Sequence, residues 1–452
     1  MAQDIIASTD TRVVVGLGVT GVSCARFLNA RGLPFSVVDT RDNPPGAQEL
    51  AREFPELAIY TGEYPERLFA QASEVVVSPG IAMDAPIVLA AQEAGAQVVG
   101  DIDLFMRAAH APVIGITGSN AKSTVTELVG QMARDAGLNV AVGGNLGTPA
   151  LELLADDCEL YVLELSSFQL ERAGELGLAV ATVLNISEDH MDRHGSLPAY
   201  HMAKHRIFRG CKLAVLNPAD PLTVPLLDAS ARQLSWRMGE PELGGFGVRV
   251  EDGVEYLSHG FDHILATSEL RLPGRHNIAN ALAALALGHA AGLPFEGMAN
   301  TLREFRGLPH RCELVASRGG VRYVNDSKGT NIGATAAALA GLGGDHDVVL
   351  IAGGQGKGAN FRQLRDVVAR HCKLVVLIGE DAGLLREALA DVVDTEDATD
   401  MTEAVAQAMA AATEGDCVLL SPACASFDMF SGYEQRGDAF SEAVLAALGG
   451  AA

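Results

Sequence analysis

A lysine and two hydroxyl residues follow a glycine-containing turn after the first quarter of the chain. Segment 113–117 is an apolar run, Val-Ile-Gly-Ile-Thr, and an amphipathic pattern begins directly after the turn. Such a turn at a helix start directs main-chain N–H groups at an anion, and the helix dipole adds to the attraction. Lys122 would contact the β- and γ-phosphates of ATP, and the Ser123 hydroxyl would reach Mg²⁺. The sequence therefore predicts an ATP-binding loop of Gly118, Ser119, Asn120, Ala121, Lys122, Ser123 and Thr124.

This loop departs from the pattern G-x4-G-K-[ST], because Ile116 and Ala121 stand where its two glycines would be. A plain glycine turn followed by a surface lysine is the alternative interpretation. The succession of strand, loop and helix favours phosphate binding. Because a Cβ disfavours positive φ, we expect at Ala121 either a turn that does not need glycine or some backbone strain.

Acidic and imidazole side chains follow two later apolar runs. Glu164 ends the run YVLE, and 189–194 (DHMDRH) follows ATVLNI. The carboxyl ends of parallel strands are where open α/β sheets bind ligands, and these groups suit Mg²⁺ or Mn²⁺. We predict Glu164 and His190 as metal ligands and interpret His194 as a solvated loop residue. From the residues alone, Lys204 is an ordinary surface lysine.

A second glycine loop lies near the N-terminus. It reads Gly16-Leu17-Gly18-Val19-Thr20-Gly21, and Asp39 ends the next apolar run, as in the dinucleotide fingerprint. Three interpretations stay open: an NAD- or FAD-dependent oxidoreductase, a site for another diphosphate such as a sugar nucleotide, and a structural turn. An ATP loop in the same chain shifts weight away from redox chemistry, because hydride transfer does not need ATP.

The elements that must position these residues are short β-branched strands with helical patterns between many of them. Continuous apolar strands are typical of parallel sheets buried on both faces, so the fold class predicted is α/β. Segment 233–273 is glycine-rich and alternating, which indicates short antiparallel strands beside a parallel sheet. The length indicates about three domains, with boundaries near 100–112 and 306–311.

Composition restricts the partners. Lys and Arg total 33 against 57 Asp and Glu, a net charge of −24, which argues against nucleic acid or an anionic membrane as the main partner. Seven scattered cysteines, no secretory signal and no apolar run of spanning length favour a cytoplasmic protein with reduced thiols.

Taken together, the segments resemble the Mur ligase family over nearly the whole chain. The residues that carry the resemblance are ITGSNAKST, GGNLGTPAL, LELSSFQL, LNISEDHMDRH, AYHMAKHRIF, LPGRHNIANALAAL, GLPHR, NDSKGTN, GGQGKG and SPACASFDMFSGYEQRG. The resemblance implies a Rossmann-like UDP-binding domain (1–104), a central P-loop ATPase domain with a mostly parallel sheet and a small antiparallel sheet (105–307), and a Rossmann-like C-terminal domain that binds the amino acid (308–452).

The resemblance also implies roles for individual residues. Asn145 would meet the muramoyl part of the substrate, and Lys204 would carry a carbamate made with CO₂. Ser123, Glu164, His190 and Lys204 would hold two Mg²⁺ ions. Lys122, Lys204, His190 and Lys328 would be catalytic. The residues implied around UDP are Val19, Thr20, Asp39, Thr40, Arg41, Ser78, Pro79 and Gly80.

The C-terminal third would complete the site. Tyr433 stands where the family pattern has Phe, so its hydroxyl needs a partner. The residues implied near ATP are Asn277, Asn280, His310, Arg311 and Asp326, and those implied near the amino acid and the reacting phosphate are Lys328, Thr330, Lys357, Ser426 and Tyr433.

The activity implied is ATP-dependent amide formation through an acyl phosphate in peptidoglycan precursor synthesis. The terminal segment and the opening GLGVTG are most similar to the D-glutamate-adding branch, whose other substrate is a UDP-linked muramoyl-L-alanine. We therefore expect small-molecule substrates, a monomer and closure of the C-terminal domain over the site. The rivals are a Mur-type ligase for another amino acid or dipeptide, a folylpolyglutamate synthase, a nicotinamide dehydrogenase and a nucleotide-gated binding module.

Overall fold

The computed structural model describes residues 11–65, 67–227, 231–272 and 274–449. These residues form three parallel or mostly parallel sheets in succession along the chain, with one small antiparallel sheet beside the second. The α/β fold with three domains is thus confirmed. The expectation about a secretory signal concerns the first ten residues, which lie outside the described ones.

The N-terminal domain is a five-stranded parallel sheet flanked by helices. Its order is β3-β2-β1-β4-β5, so the carboxyl ends of β1, β2 and β4 lie side by side. Its strands are β1 Thr11–Val15, β2 Phe35–Asp39, β3 Ile59–Thr61, β4 Ala72–Val77 and β5 Gln97–Val99, and its helices are α1 Val19–Ala30, α2 Ala47–Glu53, α3 Arg67–Ala70, α4 Pro86–Glu93 and α5 Asp101–Ala108.

The central domain contains a six-stranded parallel sheet of order β11-β10-β9-β6-β8-β7. Because β9, β6 and β8 are neighbouring parallel strands, their last residues lie at the same edge of this sheet. These residues are Val183, Thr117 and Glu164. Its strands are β6 Val113–Thr117, β7 Val140–Gly144, β8 Leu160–Glu164, β9 Val180–Val183, β10 Leu213–Leu216 and β11 Arg232–Ser235. The prediction of an antiparallel strand from residue 233 is wrong, because β11 pairs in parallel with β10.

The predicted small antiparallel sheet is present further along, as β12 Phe246–Glu251, β13 Val254–His259 and β14 Asp262–Ala266. It packs beside α10, whose alanines and leucines are buried on nearly every face because the helix lies between this sheet and α6. The central helices are α6 Lys122–Asp135, α7 Ser167–Arg172, α8 Met191–His194, α9 Leu197–His205, α10 Arg275–Ala290 and α11 Phe295–Glu304, with 3₁₀ turns at Ala150–Leu153, Arg206–Phe208, Pro221–Thr223 and Thr267–Glu269.

The C-terminal domain has a six-stranded sheet of order β15-β16-β20-β17-β18-β19, parallel except for the edge strand β15. Three loops that follow its adjacent strands β16, β20 and β17 face the central domain. The elements are β15 Glu313–Arg318, β16 Val321–Asn325, α12 Ile332–Leu342, β17 Val348–Gly353, a 3₁₀ turn Phe361–Leu364, α13 Arg365–His371, β18 Cys372–Ile378, α14 Ala382–Leu389, β19 Asp394–Asp397, α15 Met401–Ala411, β20 Cys417–Leu420 and α16 Tyr433–Gly449.

All seven cysteines are free thiols, and six of them are buried. Within the described ranges, no helix has the length and apolar character needed to cross a membrane.

Candidate active site

The predicted phosphate loop connects β6 to α6, as its sequence pattern indicates. The segment that follows β9 fastens it from one side. The Asn120 N–H donates to Asn185 Oδ1 (2.8 Å), and the Ser119 N–H donates to the Asn185 carbonyl (2.9 Å). The Ser119 hydroxyl donates to the Ser187 carbonyl at 2.9 Å. The loop conformation therefore depends on residues about 65 positions further along the chain.

Ala121 has φ 66° and ψ −3°, which is the left-handed conformation that favours glycine. Of the two outcomes expected for this position, the structure has the strained one. Non-glycine residues pay about 1–2 kcal/mol in this region, and such strain is concentrated at functional sites.

Lys122 is the first residue of α6, and its ammonium group lies inside the loop. Its Nζ donates to the carbonyls of Gly118 and Ser119, both at 2.9 Å. Burial lowers the pKa of Lys122, although the nearby Glu164 carboxylate opposes the shift. The next residue, Ser123, is buried, and its hydroxyl accepts a hydrogen bond from Arg311 of the C-terminal domain at 2.7 Å. Cations from two domains thus meet where an ATP phosphate would lie.

Glu164 supplies the negative charge at this edge of the sheet. One oxygen, Oε1, accepts a hydrogen bond from the Asn145 amide at 2.6 Å. The other, Oε2, is buried and accepts none from the described residues. Burial, the largest single effect, raises the pKa of this carboxyl, but the Lys122 ammonium acting together with other neighbours, among them the Asn145 amide and the Arg311 guanidinium, outweighs burial and the pKa is lowered. A buried ionised oxygen left over in this way suits a divalent cation.

His190 has a left-handed backbone (φ 56°), and its ring lies edge-on to Phe168 with centroids 4.8 Å apart. Its Nε2 lies 3.7 Å from an oxygen of Asp189. Burial lowers the pKa of His190 to about 4, so the imidazole is neutral at pH 7 and keeps a lone pair for a metal. Among the described residues, no three His, Cys, Asp or Glu side chains form a metal-binding cluster by themselves. Water and phosphate oxygens usually complete the shell of Mg²⁺.

Two interpretations made from the residues alone are wrong. Lys204 is 1% exposed, and its Nζ donates to the Gly118 carbonyl at 2.8 Å. Burial, with Lys122 nearby, lowers its pKa well below the usual value. His194 is half-buried: its ring stacks on Phe168 and its Nε2 is 3.0 Å from the Ser167 hydroxyl. Neighbours distant in sequence enclose both side chains.

A cavity of about 840 Å³ opens between the central and C-terminal domains. Its walls are built from the phosphate loop, the ends of β8 and β9, and three loops of the C-terminal sheet. The predicted site residues that it brings together are Ser119, Asn120, Ala121, Lys122, Ser123, Asn145, Glu164, His190, Arg311, Lys328, Thr330, Lys357, Ser426 and Tyr433.

Lys328 and Tyr433 form the C-terminal wall of this cavity. The Lys328 Nζ lies 3.5 Å from the centroid of the Tyr433 ring, a cation–π contact. Burial and nearby Arg311 lower the pKa of Lys328 to about 8. Burial, with the Glu434 carboxylate beside the hydroxyl, raises the pKa of Tyr433 to about 12. Glu434 is thus close enough to the tyrosine hydroxyl to affect its pKa.

A second cavity of about 1010 Å³ adjoins the first and shares Asn120, Ala121, Arg311 and Lys328 with it. Thr124, Asn277, Asn280 and Asp326 line it together with apolar residues, as a nucleoside pocket requires. Burial raises the pKa of Asp326 to about 6. His310 lies beside this region, with Nδ1 3.1 Å from the Asn325 amide and its ring edge-on to Tyr433.

The first glycine loop lies at the carboxyl edge of the N-terminal sheet. A Cβ on Gly21 would come within 1.8 Å of the Gly16 carbonyl, so helix and loop meet too closely for any other residue. Asp39 is 1% exposed, and its carboxylate accepts from the Leu17 N–H (2.7 Å) and from Arg41. Asp39 therefore fastens the loop itself. Those predicted UDP-binding residues that share this edge with it are Val19, Thr20, Thr40, Arg41, Ser78, Pro79 and Gly80.

Asn331 is a site residue that the sequence analysis missed. It is the N-cap of α12, and its Oδ1 accepts from the Ala334 N–H at 2.9 Å. Its Nδ2 donates across the domain interface to Asn120 (3.0 Å) and Asp189 (3.2 Å). The N-cap role was readable from an Asn before an apolar helix. The hydrogen bond to the phosphate loop could not be predicted, because Asn120 and Asp189 are distant in sequence from Asn331.

Comparison with known proteins agrees with this geometry. Three family models match: "Mur ligase MurD-like, N-terminal domain" at 10–100, "Mur ligase middle domain" at 116–288 and "Mur ligase, glutamate ligase domain" at 310–424. The chain belongs to the Mur ligase family.

Individual relatives are similar over almost their whole length. UDP-N-acetylmuramoylalanine–D-glutamate ligases of Pseudomonas fluorescens strain Pf0-1 and Pseudomonas aeruginosa are 55% and 54% identical, over 98% of this chain and 99% of each relative. Among solved structures, a pseudomurein peptide ligase type C from Methanothermus fervidus has a TM-score of 0.60 at 17% identity, covering 96% of this chain and 99% of its own. That likeness shows the fold.

Proposed function

We propose that this chain joins the carboxyl group of UDP-N-acetylmuramoyl-L-alanine to the amino group of D-glutamate in peptidoglycan precursor synthesis, using ATP. The observation that carries the proposal is the cavity in which the phosphate loop, Glu164 and His190 face Lys328 and Lys357 of the C-terminal domain. Relatives of more than 50% identity named for this activity support the choice of substrates.

The first half of the reaction is activation, because a carboxylate is a poor electrophile. The muramoyl-L-alanine carboxylate oxygen attacks the γ-phosphorus of ATP, the bond to the bridging oxygen breaks, and ADP leaves. Charge spreads over the transferring phosphoryl oxygens, where positioned cations are most effective. Lys122, whose Nζ bonds the Gly118 carbonyl in the phosphate loop, and Arg311, which bonds the Ser123 hydroxyl, would neutralise that charge.

The second half is amide formation. The D-glutamate amine, having lost its ammonium proton, attacks the acyl carbon, and phosphate leaves from the tetrahedral intermediate. Lys357 and buried Ser426 lie on the C-terminal wall of the cavity, where they would hold the two glutamate carboxylates. Lys328 would neutralise the departing phosphate. Buried Arg436 supports this wall by donating to the carbonyls of Ser327 and Cys424.

Two Mg²⁺ ions, which Mn²⁺ can replace, would be held by Ser123, Glu164, His190 and a carbamate on Lys204. When bound, the ions supply positive charge that polarises the phosphoryl group. The spare Glu164 oxygen and the neutral His190 imidazole fit such ions. Burial lowers the pKa of Lys204 and so favours its neutral amine, the form that reacts with CO₂, and the carbamate would bring the negative charge that this cationic pocket needs.

The boundaries of the domains are also proposed, at 1–104, 105–307 and 308–452. The first boundary falls inside α5, so the N-terminal and central domains would share a helix. UDP would bind at the first glycine loop through Val19, Thr20, Thr40, Arg41 and the loop 78–80, with Asp39 acting on Arg41. We propose a cytoplasmic monomer that acts on small molecules.

A phosphate-release assay with UDP-N-acetylmuramoyl-L-alanine, ATP and a panel of amino acids tests the proposal. We expect release with D-glutamate and none with L-glutamate, L-alanine or a diamino acid. Release stimulated by another panel member and not by D-glutamate would refute the substrate assignment. For the carbamate, Lys204→Ala should lose activity and regain part of it with a short carboxylic acid such as acetate.

A further inference from the structure

The last residue of α7, Arg172, lies in the interface between the N-terminal and central domains with its side chain fully enclosed. Its guanidinium meets five main-chain carbonyls and, among the residues that the structure describes, no oppositely charged group closer than Glu171 at 3.8 Å. Four of these carbonyls belong to the end of β4 and the segment that follows it. Nε donates to the carbonyl of Phe168 (2.7 Å). Nη1 donates to the carbonyls of Val77 (3.3 Å) and Ser78 (2.5 Å), and Nη2 donates to those of Pro79 (3.2 Å) and Ile81 (3.0 Å).

These bonds fix the orientation of the loop 78–81. In a trans peptide the C=O and the following N–H point in opposite directions. Because the Pro79 carbonyl faces Arg172, the Gly80 N–H faces away from it. Gly80 is exposed, and a Cβ built there would meet nothing within 4 Å. The Gly80 N–H thus points away from Arg172 at an exposed residue beside the first glycine loop.

The same loop is tied to both of its neighbours. The Ser78 hydroxyl donates to the Gly16 carbonyl at 2.9 Å, which joins it to the glycine loop. Arg193, three residues after His190, donates to the Gly80 carbonyl at 3.2 Å. The helix that carries Arg172 begins three residues after β8 ends at Glu164, with Ser166 and Gln169 forming its capping box. A short rigid path therefore connects Glu164 with the loop.

We propose that Arg172 is a positioning residue for the diphosphate of the nucleotide-sugar substrate. It holds the loop 78–81 so that the Gly80 N–H faces that diphosphate, at a fixed place relative to Glu164. The inference rests on the proposed function, which places UDP at this loop. A prearranged loop strengthens binding because it loses little conformational entropy when the ligand binds.

Arg172→Met and Arg172→Lys test the role, with Arg206→Met as the matched control. Arg206 is a half-buried arginine of the central domain whose guanidinium bonds only the Ala173 carbonyl among the described residues. In Arg172→Met, KM for the UDP substrate should rise about tenfold or more, as for other residues that orient a binding group. KM for ATP and for D-glutamate should stay within about twofold, and Arg172→Lys should be intermediate. Arg206→Met should leave all three unchanged.

A lowered unfolding temperature with an unchanged KM for the UDP substrate would overturn the proposal, because the role would then be structural only. If Arg172→Met does not fold, hydrogen exchange of Arg172→Lys decides. Relative to the wild type, we expect the amides around residue 80 of Arg172→Lys to exchange faster and to be protected less by UDP. Equal protection by UDP in the variant and the wild type would refute the inference. UDP that binds the wild type but not at this loop would refute the proposed function as well.

Discussion

Two interfaces join the three domains, and they differ in what fills them. One apolar cluster extends from the N-terminal sheet through α5 into the central sheet, with members from Val14 to Leu216. The two C-terminal clusters consist only of residues between 312 and 448. The described contacts between the central and C-terminal domains include several polar side-chain pairs around the cavity, among them Arg311–Ser123, Asn331–Asn120 and Gln363–Glu188.

This difference indicates that the first interface is fixed and that the second can open and close. Burial of continuous apolar surface makes the first two domains one cooperative unit, whereas polar pairs can separate and re-form at little cost. The nucleotide-sugar loop would then be fixed relative to the phosphate loop, and the C-terminal domain would bring the amino acid to it. Closure that excludes water protects an acyl phosphate from hydrolysis.

The largest effect is expected at the polar interface, from Lys122→Met. Loss of this ammonium should lower kcat by about 10³-fold or more, since charge on the transferring phosphoryl group would go unneutralised. The unfolding temperature should change little, because methionine fills a similar volume. Phosphate release under saturating substrates measures the effect. A kcat within about tenfold of wild type would mean that Lys122 is not at the transferring phosphate.

The shared core can be tested with two matched phenylalanines that are both fully buried. Phe105 on α5 packs edge-on against Tyr161 of β8, with centroids 5.0 Å apart, and Phe440 lies in a C-terminal cluster. Each Phe→Ala change should lower the free energy of unfolding of its unit by about 3–5 kcal/mol. Hydrogen exchange under mild denaturant should show Phe105→Ala loosening both the N-terminal and central domains, and Phe440→Ala only the C-terminal one. Loosening confined to residues 11–108 in Phe105→Ala would contradict a shared unit.

Asn331→Ser separates two roles of one residue at the polar interface. Serine also caps a helix, so α12 should keep its stability, but it is too short to reach Asn120 and Asp189. We expect kcat/KM for ATP to fall about tenfold, with an unfolding temperature close to wild type. Asn331→Ala, which also loses the cap, should be destabilised in addition by about 1 kcal/mol.

Gln363→Ala is the control, because its bond to Glu188 (3.0 Å) crosses the same interface in an exposed position. Exposed contacts of this kind contribute little, so its kinetics should match the wild type. Equal losses in Asn331→Ser and Gln363→Ala would mean that any contact across the interface serves closure equally well.

Sequence was informative where structure is local. The strand of Val113–Thr117, the turn and Lys122 are consecutive, so their pattern predicted a phosphate loop before any fold was known. The burial of a side chain by segments distant in sequence could not be predicted in this way. Lys204 is buried by segments some 86 positions earlier, and Asn331 bridges to a partner 211 positions away. The Asp39 carboxylate matched a ribose-binding pattern, yet it bonds to the Leu17 N–H 22 positions before it.

The smallest effect is expected at Ala121, on the loop that the polar interface covers. Glycine relieves the left-handed strain of about 1–2 kcal/mol. It also raises the conformational entropy of the unfolded chain, which lowers the free energy of unfolding by about 0.4–1 kcal/mol. Ala121→Gly should therefore stabilise the central unit by roughly 0.5–1 kcal/mol, seen as a rise of a few degrees in unfolding temperature. Ala136, at the other end of α6, has φ −79° and is exposed, so Ala136→Gly should lower stability instead. If Ala121→Gly is stabilised and also binds ATP with unchanged affinity, the strain serves no purpose in nucleotide binding. Weaker ATP binding in the stabilised variant would mean that the alanine holds the loop ready for phosphate.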